Sequence, residues 1–174
     1  MGFALSDLEL TSDAFAHHGK IPARQTGEGE DVSPALRWTN VPHGTKGFAL
    51  VCHDPDAPLV SPGSYGFVHW VLYNIPGDVT RLPEGLPRQP VLQVPAGARQ
   101  GLNSWPENNI GYRGPLPPRG SGPHRYYFSL YALDTPITLP PHEATAAHLQ
   151  DLIADHVLAE AQTMGIYERR VPRK

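Results

Sequence analysis

Cysteine is almost missing from this protein, with Cys52 alone among 174 residues. A single thiol excludes an intrachain disulfide framework, and no Cys/His spacing matches a zinc site, so Cys52 reads as a small buried thiol in a strand. Positive charge is scarce as well. Lys plus Arg number 14 against 17 Asp plus Glu, for a formal net charge of −3, so no basic stripe is present to drive nucleic-acid binding by counterion release. Apolar runs stop well short of the roughly 18 residues that a membrane helix needs. Residues 1 to 16 carry neither a basic start nor an apolar block of signal-peptide length, and the expectation is a cytoplasmic protein with no membrane span. The motifs of the common enzyme classes are lacking too. There is no GxSxG elbow, since Gly63-Ser64-Tyr65-Gly66 has the wrong spacing, and no phosphate loop, GxGxxG or HExxH.

Proline and glycine are plentiful, 20 and 17 respectively, which points to many turns and short strands rather than long helices. The length suits a single domain spanning residues 1 to 174. Phe3 to Leu10 alternates with one phase change and predicts a first strand with a bulge. Thr11 to Pro34 has no sustained period and reads as a long surface loop, in which His17 and His18 form a solvated pair rather than a metal site. Ala35 to Val41 predicts a half-buried strand stopped by Pro42. Gly47 to His53 and Phe67 to Ile75 are apolar on both parities, as central strands covered on two faces are. Between Asp78 and Asn109 only Pro90 to Val94 reads as a strand. His124 to Leu133 alternates cleanly. After Pro140-Pro141 the spacing of Leu149, Leu152, Ile153, His156, Val157, Ala161 and Met164 predicts helix, N-capped by Thr145 and stopped at Gly165, either continuous or restarted at Asp155. Strands over most of the sequence with helix at the end argue a mainly β fold, a β-sandwich or an antiparallel sheet with peripheral helices.

Three stretches carry side chains suited to chemistry. In DPDAP, Asp54 and Asp56 are two apart, so an extended backbone aims both carboxylates the same way, while Pro55 and Pro58 hold the segment rigid and Ala57-Pro58 is a place for a cis bond. His69 lies within an apolar run and needs a partner there; a DPDAP carboxylate would supply one and favour the protonated ring, and a backbone carbonyl is the plainer alternative. His124 opens its strand after a Pro/Gly loop, where the amides of Gly114, Gly120 or Gly122 can approach a ligand, and Tyr126 shares its face. Imidazole, phenol and backbone N–H groups together suit phosphate or another oxyanion. A hydrolase or lyase using the His/Asp cluster as acid and base is the alternative, and it has no evident nucleophile.

DPDAP, then FVHWVLYNIP, then GYRGPLPPRGSGPHRYYFSLYALD, in this order, closely resembles the phosphatidylethanolamine-binding protein family, which includes Raf kinase inhibitor protein and many bacterial homologues. EDVSPALRWTNVP resembles that family's entry strand, and DHVLAEAQTMGIY its closing helix in the bacterial branch. The resemblance implies a Greek-key β-sandwich of two antiparallel sheets with a C-terminal helix or helices. It also implies a pocket for phosphate or a phospholipid headgroup, with no metal and no organic cofactor. Carried over by position, the pocket residues are Asp54, Asp56, Pro58, His69, Gly114, Pro115, His124 and Tyr126, with Phe67 as the aromatic two residues before His69. Leu116 stands where bacterial members commonly have cysteine. The implied partners are a kinase or a protease, with the protein acting as monomer or homodimer; an inhibitor working through the loop from Asn103 to Arg113 is a further possibility.

Overall fold

Two strands apolar on both parities take the centre of the larger sheet. In this computed structural model, which describes residues 6–57 and 66–172, they are β3 (Gly47–Asp54) and β4 (Phe67–Pro76). Around them lie β1 (Glu9–Thr11), β2 (Leu36–Thr39), β5 (Arg81–Leu82), β6 (Arg99–Gln100), β7 (His124–Leu133), the helix α1 (Ala146–Ile153) and β8 (Val157–Tyr167). One antiparallel sheet has the order β1-β2-β5 and the other β6-β4-β3-β7-β8.

The sheets pack face to face as a sandwich. Leu10, Leu36, Trp38 and Leu82 of the small sheet share one core with Phe48, Leu50, Trp70, Leu72 and Phe128 of the large one. Burying an apolar residue of this size away from water is worth about 1.5–3 kcal/mol. On the other face of the large sheet, Val51, Val71, Tyr73 and Leu133 form a second core with Leu149 and Ile153 of α1. That double cover is why β3 and β4 lack alternation. Cys52 sits buried in β3, as expected of a lone thiol.

The segment that follows α1 departs from the helical expectation. Thr145 does cap α1, its side chain accepting the His148 N–H at 3.1 Å, but the helix ends at Ile153. Val157 to Tyr167, including most of DHVLAEAQTMGIY, is strand. Its Ala, Glu, Gln and Met residues favour helix intrinsically, yet β7 needs a partner for its open edge, and β8 supplies one along its whole length, from His124 against Tyr167 to Leu133 against Val157. Inward-facing Ala159, Ala161 and Thr163 alternate with outward Leu158, Glu160 and Gln162, so tertiary pairing overrides propensity.

Other expectations are corrected in detail. Of the first strand, Phe3 and Leu5 lie outside the described residues, and β1 begins only at Glu9. Pro90 to Val94 is turn with one isolated bridge at Val91, and the short strands in that region are β5 and β6 instead. Thr11 to Pro34 is not simply surface loop: Phe15, Ile21, Gln25, Thr26 and Ser33 are buried in it. Among the described residues no helix is long and apolar enough to cross a membrane.

Candidate ligand pocket

Antiparallel register gathers the polar residues. The C-terminal end of β3 lies beside the N-terminal ends of both β4 and β7, with Asp54 opposite Phe67 and His53 opposite Tyr127. Asp54, His69, His124 and Tyr126 therefore meet at one end of the large sheet. A β-bulge sharpens this. Cys52 pairs with Trp70 and His53 with Val68, leaving His69 as the extra residue on β4, and its side chain joins Phe67 in the pocket wall. Bulges re-aim side chains in this way, often next to sites.

The cavity holds about 230 Å³ and is lined by Asp54, Ala57, Phe67, His69, Trp105, Leu116, Pro117, Pro118, His124 and Tyr126. Its floor is polar and its walls apolar. Asp54 is buried, its Oδ1 accepting the Asp56 N–H at 2.7 Å and its Oδ2 standing 2.6 Å from His124 Nδ1. Burial, ahead of the opposing His124 hydrogen bond, raises its pKa above the usual carboxylate value. His124 is 3% exposed, and its Nε2 lies 3.0 Å from the Oγ of Ser121 at the rim. Burial first, then the nearby Asp54 charge, raises the Tyr126 phenol pKa, so its hydroxyl keeps its proton.

His69 takes the plainer of its two expected partners. Its Nδ1 donates to the Arg113 carbonyl oxygen at 2.6 Å, and not to a DPDAP carboxylate. Burial pushes its pKa down to about 4 against the opposing hydrogen bonds to the Arg113 and Gly114 backbone, so the ring is neutral rather than protonated. The carboxylate partner goes to His124 instead.

The two aspartates do not point the same way. β3 ends at Asp54, and the Asp54 Oδ1 hydrogen bond to the Asp56 N–H folds the following residues into a turn. Asp56 faces outward, accepting the Arg125 backbone N–H and Nε at 2.9 Å and Nη2 at 2.8 Å. That pairing, with the side-chain bonds foremost, lowers the Asp56 pKa. Consecutive residues of β7 thus divide the carboxylates, His124 taking Asp54 inside and Arg125 taking Asp56 outside.

Gly114 and Pro115 serve the frame. The Gly114 N–H donates to Asp31 Oδ1 at 2.7 Å, and the Pro115 carbonyl accepts the Gly27 N–H at 2.9 Å. A Cβ on Gly114 would meet the Gln25 carbonyl oxygen at 2.0 Å, so glycine is needed for close packing, and the pocket wall is made by the next residues, Leu116 to Pro118. Pro58 and the Ala57-Pro58 bond lie outside the described residues. Trp105 is a pocket residue that the sequence pattern does not single out. It stands edge-on to Phe67, ring centres 4.7 Å apart, and 4.5 Å beneath the Arg113 guanidinium; its only sequence signal is an aromatic among turn residues. Among the described residues no group of three or more His, Cys, Asp or Glu is placed to hold a metal.

Known proteins share both the sequence and the fold. The family model for "Phosphatidylethanolamine-binding protein" matches residues 11–168. A UPF0098 protein of Methanothermobacter thermautotrophicus is 44% identical over 162 residues, 93% of this chain and 99% of the relative. The crystal structure of Escherichia coli YbcL, described as a new member of the mammalian PEBP family, superposes with a TM-score of 0.81 at 34% identity, over 93% of this chain and 98% of that one. That of the phosphatidylethanolamine-binding protein homologue CT736 from Chlamydia trachomatis gives 0.80 at 34%, over 94% and 99%.

Proposed function

Because the chain belongs to the phosphatidylethanolamine-binding protein family, we propose that it binds a small anion of the phosphate or phospholipid-headgroup type in the pocket between β3, β4 and β7. One observation carries this reading: His69, His124 and Tyr126 converge with Asp54 on the floor of an otherwise apolar cavity. A headgroup meets hydrogen-bonding groups at the bottom, and any attached acyl tail meets Phe67, Trp105, Leu116 and the two prolines on the way out. The volume is below the roughly 300–1,000 Å³ of drug-sized sites, so the cavity itself encloses a headgroup or a small phosphoester rather than a whole lipid.

Among the described residues the lining contains no Lys or Arg and one carboxylate, so the anion's charge is balanced by protons. Neutral His69 already uses its Nδ1 proton on the Arg113 carbonyl. A second proton at Nε2 turns the ring into a cation and a donor, and Tyr126 supplies a neutral O–H beside it. Anion binding is therefore coupled to proton uptake at the floor.

Isothermal titration of the protein with phosphate and phosphoethanolamine, alongside the His124→Ala variant, tests the proposal. Saturable binding at or below the millimolar range that weakens in the variant supports it. No binding by either ligand at pH 5 or pH 7 would end it.

A further inference from the structure

The sequence offers no nucleophile to the His/Asp cluster, and the folded protein does. Ser121 Oγ lies 3.0 Å from His124 Nε2, and His124 Nδ1 lies 2.6 Å from Asp54 Oδ2. The hydroxyl is exposed, whereas the imidazole and the carboxyl are each 3% exposed. This is the arrangement in which a buried acid fixes the imidazole tautomer with Nδ1–H and leaves Nε2 as a base for a hydroxyl at the surface. The loop residues Ser121-Gly122-Pro123 bring it about by turning back over His124, so that a residue three positions before the histidine reaches its far nitrogen. In the resting loop the Ser121 hydroxyl also stands 2.7 Å from the Pro118 carbonyl oxygen, so its single proton has two acceptors within reach.

We propose that Ser121, His124 and Asp54 form a nucleophile, base and carboxylate relay that gives this protein a serine-acylation activity toward short carboxylic esters. This goes beyond the binding reading. Pro118, which accepts the Ser121 hydroxyl, lines the same cavity as His124, so an acyl group seated against Phe67, Leu116 and Pro117 has its carbonyl near the rim. The amide that follows the nucleophile belongs to Gly122, whose φ of 85° turns the chain sharply beside Ser121, and it is the donor assigned to the oxyanion.

The step balances within the protein and water. Ser121 Oγ attacks the ester carbonyl carbon while its proton passes to His124 Nε2. The oxyanion collapses, the carbon–oxygen bond to the alcohol breaks, and the leaving alkoxide takes the proton from Nε2. Water then attacks the acyl-serine with His124 as base, releasing the carboxylic acid and returning the proton to Oγ. A fluorophosphonate stops after the first half: an Oγ–P bond forms, the P–F bond breaks and fluoride leaves.

The test is intact-protein mass spectrometry after incubation with a short-chain ethyl fluorophosphonate, followed by peptide mapping. One adduct on Ser121 is expected, absent in Ser121→Ala, and formed at least about 100-fold more slowly in His124→Asn, the scale of a lost general base. Hydrolysis of p-nitrophenyl butyrate should show a burst equal to the protein concentration. Absence of an adduct, an adduct on Tyr126 or elsewhere, or labelling of Ser121→Ala at the wild-type rate overturns the relay. If His124→Asn does not fold, the mapped position of the wild-type adduct decides alone. Titration of the same samples with phosphate and phosphoethanolamine separates the two proposals: binding without an adduct removes the relay only, and an adduct without binding of either removes the anion reading only.

Discussion

Sulfate affinity should rise steeply as pH falls, because the histidine on the pocket floor is neutral until an anion gives it reason to protonate. Buried His69, its Nδ1–H held by the Arg113 carbonyl, has its pKa pushed down to about 4. At pH 7 about one ring in a thousand is protonated, and the apparent affinity of an anion that needs the imidazolium is reduced by that fraction. Each unit of pH is then worth about 1.4 kcal/mol, or tenfold, giving about a 100-fold gain between pH 7 and pH 5. Sulfate is the right probe because its own charge is constant over that interval, unlike that of a phosphate monoester, whose second ionisation falls near pH 6. Calorimetry in two buffers of different ionisation enthalpy should count about one proton taken up per sulfate at pH 7, and His69→Gln should flatten the slope. Affinity independent of pH, or a tenfold-per-unit slope that persists in His69→Gln, would refute the assignment of the proton to His69.

The same residue sets an acid limit on stability. The unfolded state protonates His69 near the ordinary pH 6.5 and the folded state only near 4, so its effect is absent above pH 6.5 and stability falls as pH drops from 6.5 to 4, by about 3 kcal/mol in all. Asp54, whose raised pKa favours protonation in the folded state, acts in the opposite direction. Urea titrations from pH 7 to pH 4 on wild type and His69→Gln check the difference. Gly114→Ala should destabilise by roughly 1–3 kcal/mol or more, seen as a fall in Tm, since its Cβ meets backbone oxygen. Thr145→Ala should cost about 1 kcal/mol through loss of the α1 cap. Hydrogen exchange should find every second amide protected from Leu158 to Gln162, where β8 pairs with β7, and consecutive amides protected from Thr163 to Ile166, where the Met164 and Ile166 N–H groups are also held by His17 Nδ1 and the Gly19 carbonyl; uniform protection from Leu158 to Gln162 would contradict the pairing of β8.

Much of the large sheet is legible in the sequence because burial on two faces leaves a plain mark. The alternation from His124 to Leu133 gives β7 at its observed bounds, and the apolar runs give β3 and β4 within one residue at their ends. β8 is not legible in this way, since Ala159, Glu160, Ala161 and Gln162 satisfy a period of two and a period of 3.6 nearly equally. What decides between them is the unpaired edge of β7, which lies far away in sequence from the residues being read. The two-residue strands β5 and β6 leave no periodicity to detect.

At the site, the sequence identifies which residues carry polar chemistry but not how they are paired, and the pairing determines the chemistry. Had Asp54 taken His69, the cation would stand ready on the pocket floor and anion binding would vary little with pH. The bulge at His69 turns that ring toward the Arg113 carbonyl, and the turn after Asp54 sends Asp56 out to Arg125, leaving Asp54 to His124. Both features follow from register and from one side-chain hydrogen bond to a backbone amide, neither of which a residue pattern records. The consequence is a division of labour between the histidines: His69, without a carboxylate, gains a proton when an anion arrives, while His124, held by Asp54, turns its second nitrogen toward a hydroxyl at the rim. The pH slope of sulfate binding and the rate of phosphonate labelling therefore report on different histidines. His69→Gln should flatten the slope and leave Ser121 reactive, whereas His124→Asn should slow the labelling and, although it weakens the anion's hold, leave the slope near tenfold per pH unit.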